Sequence, residues 1–396
     1  MERALVTILN TAAQDPRAAI RNIVCTMREP GPLADQLHRS VTIDSLRIKG
    51  RNRLAALKLS KLIARLRPNI VHARNFNTWA DCLLACRLSP APRPMPVLGF
   101  HGLETAGGFS VRRKRLARWI RSASKHFTTV SQSGARQLRD ELGVPRQHIS
   151  ILPNGVDTTR FAPADGPTRD AIRISLGIPD GRCVIVMVGS LVPVKDHQTA
   201  IEAVKRSAKD IGPTELLIVG DGPLLDTLRS GAQALPDNVR ASFLGRRGDV
   251  ADVLRAADLF LLTSRYEQMS NALLEAMACG VAAVATDVGD NALLIEHQRS
   301  GLIVPAADPE ALAQAVTDLL TSQDVRKRFS DNARRRAVQR FDIATATERY
   351  TRYYQTLINQ GPANDDELIR APSPSAGSGP EDDQELTDVR DCGRRL

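Results

Sequence analysis

Apolar residues along this chain fall into two patterns. Short, undiluted runs at 23–27, 97–100, 183–188, 258–263 and 281–286 have the length of buried parallel strands and lack the alternation of half-exposed ones. Between them lie stretches of helical period at 51–65 (closed by Pro68), 79–88, 111–122, 134–142 and 272–279 (closed by Gly280), with further helices near 308–321, 324–337 and 343–358. Shorter strands are expected at 41–44, 69–75, 126–130, just after 149, at 215–219, at 243–245 and at 301–304. Strands alternating with helices at this spacing predict βαβ units and parallel sheets, an α/β fold. Residues 1–20 read as one helix, 162–170 as a surface loop, and 361–396, rich in Pro, Ser, Gly and acidic residues, as a disordered tail.

Length and composition narrow this picture. A chain of 396 residues has room for two cores. A net charge of +10 favours anionic partners, but with only 4% aromatic residues the chain lacks base-stacking platforms, and no nucleic-acid partner is expected. The six cysteines form no CxxC pair and have no histidine at metal-binding spacing. Cys82 and Cys86 read as small core residues of one helix, which fits a reducing cytoplasm. No run reaches the roughly 18 apolar residues of a membrane span, so any membrane attachment is expected to be peripheral.

The candidate chemistry centres on 264–280, SRYEQMSNALLEAMACG. A strand ends here, and Ser270 or Asn271 can cap the helix that follows. Glu267 precedes that helix and Glu275 lies one turn inside it, so both can face a crevice at the carboxyl end of the strand, where open α/β sheets bind ligands. Carboxylates accept hydrogen bonds from hydroxyls, and a helix start offers amides to an anion, which suits a ligand that is part sugar and part phosphate. The alternative reading is two solvated surface carboxylates. Lys195 follows the strand 183–188 and is expected to open the next helix, where an ammonium could meet a diphosphate. His101-Gly102 sits past the strand 97–100, and His72 reads as structural.

Several phrases in order carry a resemblance: PNGVD at 153–157, GSL-x-x-x-K at 189–195, VGDGP at 219–223, FLG at 243–245, and Glu267 and Glu275 followed by AMACG. Together they resemble the retaining glycosyltransferases of family 4, which have the GT-B fold. That resemblance implies two Rossmann-like domains facing across a cleft. Residues 1–153, completed by the helix 343–358, would take the acceptor, and 154–340 would take a nucleotide-sugar. It implies catalytic roles for Glu267, which contacts the donor sugar, for His101 near the reacting centre, and for Lys195 on the diphosphate. Glu275 would hold the ribose. Gly189, Ser190, Gly220, Asp221, Gly245, Arg246, Gln268, Met269, Ser270, Asn271, Ala272 and Leu273 would line the donor site, and Arg74, Asn75 and Gly102 the acceptor side. Neither metal nor cofactor is expected.

Two departures from the family pattern stand out. Ser190 replaces a usual Arg, which Arg265, Arg246 or Arg247 would have to replace in function. The first strand and glycine-rich loop of the N-terminal half are expected to be missing, through a late gene start or an incomplete sheet. The implied function is sugar transfer to a glycan or lipid-linked acceptor in cell-surface polysaccharide or glycolipid synthesis, with a nucleotide-sugar 2-epimerase or a non-catalytic member as alternatives. The basic helix 111–122 reads either as lying on an anionic membrane surface, at the inner face of the cytoplasmic membrane, or as a solvated helix with its apolar side on the sheet.

Overall fold

The structure is a computed structural model that describes residues 2–15, 20–48, 54–101 and 111–360. Its N-terminal half runs α1 (Glu2–Gln14), β1 (Ile23–Thr26), β2 (Thr42–Ser45), α2 (Ala55–Leu66), β3 (Ile70–Ala73), α3 (Trp79–Leu88), β4 (Met95–Phe100), α4 (Val111–Ala123), β5 (Phe127–Thr129), α5 (Gln132–Leu142) and β6 (Ile149–Ile151). All of its strand pairs are parallel, in two pieces: β1 with β2, Ile23 opposite Thr42, and a four-stranded sheet in the order β3-β4-β5-β6. In the doubly wound order the place between β1 and β3 belongs to a first strand. Among the described residues no strand occupies it.

One core nevertheless spans both pieces. Leu46 and Ile48 after β2, Leu59, Leu62 and Ile63 of α2, and Cys82, Leu83 and Cys86 of α3 pack with Leu98, Phe100 and Phe127. Trp79 is fully buried at its centre, its ring edge-on to Phe127 at 5.6 Å and its indole N–H donating to Gly99 O at 3.0 Å. The two cysteines therefore take the expected core positions on one helix.

The C-terminal half runs α6 (Gly166–Ser175), β7 (Cys183–Val188), α7 (His197–Ser207), β8 (Thr214–Val219), α8 (Leu225–Ala232), β9 (Val239–Gly245), α9 (Val250–Ala256), β10 (Leu259–Leu262), α10 (Asn271–Ala278), β11 (Ala282–Thr286), α11 (Asn291–Leu294), β12 (Leu302–Val304), α12 (Pro309–Thr321) and α13 (Gln323–Phe341). It forms one six-stranded parallel sheet, β12-β11-β10-β7-β8-β9. Helices cover both faces, so the strands read as unbroken apolar runs.

The halves meet at a backbone crossing. The Val156 amide donates to Phe341 O at 2.8 Å, and the Ile343 amide to Val156 O at 2.9 Å. Gly155 is required there, because a Cβ would lie 2.7 Å from that of Ala346. From this point α14 (Ile343–Gln360) returns to the N-terminal half, where Tyr350, Tyr353 and Leu357 pack with Ile8 of α1, Val97 and Leu152.

Three expectations need correction. The first helix stops at Gln14, because Pro16 in the sequence disfavours helical geometry in the residue before it. The loop expected over 162–170 gives way to α6 at Gly166, since Asp165 caps it by accepting the Thr168 amide at 2.9 Å and Pro167 suits a first turn. Lys195 does not open α7. It ends a short 3₁₀ turn, Pro193–Lys195, and Asp196, at φ 49°, intervenes before His197. The tail expected at 361–396 lies outside the described residues.

Candidate active site

In the six-stranded sheet the chain starts at β7, adds β8 and β9 on one side, then returns to add β10, β11 and β12 on the other. The reversal between β7 and β10 opens a crevice at their carboxyl ends. The loop after β7 brings Lys195 there and the loop after β10 brings Glu267, and the two side chains form an ion pair. Ser264 donates to the same Glu267 oxygen at 2.9 Å. The Thr263 hydroxyl ties the loops together by donating to the carbonyls of Lys195 and Asp196, both at 3.0 Å.

Close backbone approach shapes the rim. A Cβ on Gly220 would lie 1.8 Å from Gly189 O, and one on Gly289 would lie 2.2 Å from Glu267 O, so larger residues there would push the loops apart. His197, behind Lys195, is 3% exposed; burial and the adjacent ammonium lower its pKa to about 4, so it stays neutral. Ser270 caps α10, accepting the Leu273 amide at 3.3 Å. That use removes Leu273 from the expected anion donors and leaves the first-turn amides of Asn271 and Ala272. Glu275 is half-buried on the same helix.

Not every expected donor residue faces this crevice with its side chain. Met269 is 9% exposed, and its sulfur accepts the Asn154 amide at 3.3 Å, so it seats the interdomain linker. Gln268 is buried, with both amide atoms lacking a partner. Arg265 is bound to Asp196 at 2.7 Å and Arg247 to Asp249, whereas Arg246 and Ser190 are exposed.

On the opposite side, at the ends of β3 and β4, stand Arg74 and His101. His101 Nε2 is buried without a partner, and burial followed by the Arg74 charge holds its pKa well below the ordinary value. His72 bridges Tyr354 of α14, at 2.7 Å, and Thr128, at 3.0 Å, which is the structural role expected of it. Asn75 is exposed, and its Oδ1 accepts the Asn77 amide at 2.8 Å, capping the turn that follows β3. Gly102 lies outside the described residues.

The sequence reading missed two features. Asp290, 6% exposed in the loop after β11, accepts the amides of Gln132 at 2.6 Å and Ser133 at 2.9 Å, clasping the start of α5 across the two halves. A lone Asp in a loop carries no signal for that. Tyr350 and Tyr354 bring the last helix to Arg74 and His72, and here there was a signal: three of the four tyrosines in the chain fall between 350 and 354.

Two family models divide the chain: "Glycosyltransferase Family 4" matches residues 5–160 and "Glycosyl transferases group 1" matches 168–336. The chain belongs to glycosyltransferase family 4. Among curated relatives it is similar to the Escherichia coli UDP-Gal:alpha-D-GlcNAc-diphosphoundecaprenol alpha-1,3-galactosyltransferase, 28% identical over 352 residues, 85% of this chain and 89% of that one. It is also 27% identical to the N-acetyl-alpha-D-glucosaminyl L-malate synthase of Bacillus anthracis, over 76% and 78% of the two chains. Among solved structures, Anabaena HepE in complex with UDP and glucose superimposes with a TM-score of 0.76 at 20% identity, covering 90% of this chain and 96% of its own. The lipopolysaccharide glycosyltransferase WaaG gives 0.67 at 19%, over 89% and 95%. The GT-B architecture of two Rossmann-like domains, and the assignment as a glycosyltransferase, thus stand on sequence and on fold together.

Proposed function

We propose that this glycosyltransferase moves a sugar, with retention of anomeric configuration, from a nucleotide-diphosphate sugar to a lipid-linked or glycan acceptor in cell-surface polysaccharide or glycolipid synthesis. The observation that carries the reading is the Lys195–Glu267 pair at the chain reversal, beside the first turn of α10. An ammonium has three donors, and the pair uses one, which leaves two N–H groups for the leaving diphosphate. The amides of Asn271 and Ala272 supply the rest of the positive field, so the reading needs no metal. Glu267, fixed by Lys195 and Ser264, is placed to accept a hydroxyl hydrogen bond from the donor sugar, and Glu275 is assigned the ribose.

The test is thermal melting with UDP, GDP and ADP, with and without EDTA, on the parent and on Lys195→Ala. A nucleotide at 100 times its dissociation constant adds about 2.7 kcal/mol. A shift with one nucleotide, indifferent to EDTA and absent in Lys195→Ala, is the expected result; no shift with any of the three defeats the donor assignment and favours a non-catalytic member. NMR of the donor incubated alone separates transfer from 2-epimerisation.

We also assign the protein to the inner face of the cytoplasmic membrane, and the helix layer of the N-terminal half supports this. Helices α2, α3 and α4 hold ten basic residues and one acidic one, a net +9 in a chain of net +10. Leu57, Leu84, Leu88, Leu116 and Trp119 of the same three helices are each at least 40% exposed, and Arg87 of α3 lies 5.4 Å over the Trp119 ring of α4. Apolar side chains among cations suit an anionic bilayer, with each basic residue near it contributing about 1 kcal/mol. Co-sedimentation with anionic but not neutral vesicles, weakened in Leu84→Glu/Trp119→Glu, is expected; equal sedimentation with both removes the assignment.

A further inference from the structure

A second cation sits in this molecule without the partner that Lys195 has. Arg74 follows β3, and among the described residues no carboxylate is within ion-pair distance of it. Its neighbours are aromatic and basic. The guanidinium carbon lies 5.2 Å from the centre of the Tyr350 ring, the guanidinium is hydrogen-bonded to the Tyr350 and Tyr354 hydroxyls, and its charge reaches His72 and His101. Its Nε is buried and donates to nothing in the protein.

A partly buried charge that has neutral phenols but no counter-charge is costly, so a guanidinium kept in this state favours an anion from outside. Space for one is present. Arg74 lines a cavity of about 40 Å³ between α1, α14 and the end of β3, walled by Leu5, Ile8 and Leu9 on one side and Tyr350 on the other. Thr347 lines it as well, and its hydroxyl is also buried without a partner. Two unsatisfied donors of different chemistry, just past β3 and on the returning helix, thus meet in one cavity. A single water needs about 10–15 Å³, so this volume suits a small oxyanion and not a sugar ring.

We propose that the Arg74–Thr347 cavity is an oxyanion site that takes the phosphate or carboxylate group of the acceptor, separate from the donor diphosphate site at Lys195. The inference rests on the reading of the protein as a sugar transferase and narrows its acceptor to an anionic one. Arg74 holds the charge, Thr347 adds a hydroxyl donor, and the ring of Tyr350 fixes the guanidinium plane, leaving Nε–H directed at the ligand. His101, at the end of the neighbouring strand β4, then stands next to a bound acceptor, where a neutral imidazole with a free Nε2 can accept a hydroxyl proton.

The test titrates inorganic phosphate into Lys195→Ala, in which the donor cation is gone, and follows thermal melting alongside Lys195→Ala/Arg74→Gln and Lys195→Ala/Thr347→Val. Stabilisation by phosphate that is lost with Arg74→Gln and weakened several-fold with Thr347→Val supports the site; equal shifts in all three, or none in Lys195→Ala, overturn it. Should Arg74→Gln fail to fold, Arg74→Lys, which keeps the charge, and Thr347→Val carry the decision. In the otherwise unmodified enzyme, Thr347→Val is expected to raise KM for a phosphorylated acceptor several-fold with little change in kcat or in donor KM. The same KM rise with an uncharged acceptor contradicts the proposal. A soluble sugar phosphate and a polyprenyl diphosphate sugar in vesicles, run in parallel, separate the two sources of the anion. Phosphate binding needs neither donor nor transfer, so a failed nucleotide titration defeats the function above and leaves this site standing, and the reverse holds equally.

Discussion

Two cations face each other in concept across this molecule, and their surroundings differ. Lys195 is paired with Glu267, with Ser264 donating to the same carboxylate oxygen, on loops fixed by an unbroken six-stranded sheet. Arg74 has aromatic rings and histidines around it, on the edge strand of a four-stranded sheet. A pre-paired cation is ready before the ligand arrives and gives up little of its own stability when the ligand leaves. An unpaired one draws its counter-charge from the ligand and so discriminates strongly between charged and neutral partners. On the proposed assignment, the Lys195 side suits a constant reaction partner and the Arg74 side suits selection by charge.

The largest expected effect comes from breaking the paired side. Glu267→Ala should lower transfer on the order of 10²–10³-fold, the scale of a lost group that acts on the transition state. Nucleotide affinity should hold or rise, because Lys195 is released; a matching loss of nucleotide binding would refute the sugar-facing role. Acid should reach both sides next. The unfolded state takes up protons near pH 6.5 while folded His197 does so only near 4, so the stability His197 contributes is present above 6.5 and falls as pH drops toward 4, by on the order of 3 kcal/mol. His72 and His101, both held well below the ordinary value, act in the same direction. Melting temperature against pH measures this, and His197→Gln should flatten the curve.

Glu275→Ala should weaken nucleotide binding about tenfold, near 1.4 kcal/mol, while leaving the acceptor side untouched. Unchanged nucleotide affinity by calorimetry would remove the ribose assignment. The smallest effect is expected from Tyr354→Phe, which deletes the 2.7 Å bond to His72 and should cost about 1 kcal/mol in denaturant unfolding. Because the same phenol hydrogen-bonds Arg74, a modest change in phosphate binding should accompany it.

The two sides were not equally legible in the sequence. On the donor side, apolar runs such as CVIVMV and LFLL mark strands buried on both faces, and Lys195, Glu267 and Ser270 stand within a few residues of those strands, so local pattern placed them. Where local pattern failed, tertiary contacts had taken over: Met269 turned inward to the Asn154 amide, and Leu273's amide was used by its own cap. On the acceptor side the partners of Arg74 and His72 come from α14, separated from them by more than 270 residues, with Tyr354 lying 282 positions from His72. No periodicity near residue 74 announces a tyrosine near 350. The chain charge of +10 was visible at once, but that three helices carry almost all of it emerges only when they lie side by side.

Asp290 has a consequence for the timing of turnover. Its two oxygens sit on the Gln132 and Ser133 amides much as a small oxyanion sits on a helix start, so the two halves are joined here by an internal anion mimic. If the halves separate during turnover, those amides meet solvent, where sulfate or phosphate can claim them and delay return of Asp290. Buffer anions should then slow the cycle in the order of their affinity for amide donors, even at constant ionic strength, from a clasp that borders the Glu267 loop, since the Asp290 amide itself donates to Gln268 O at 3.0 Å.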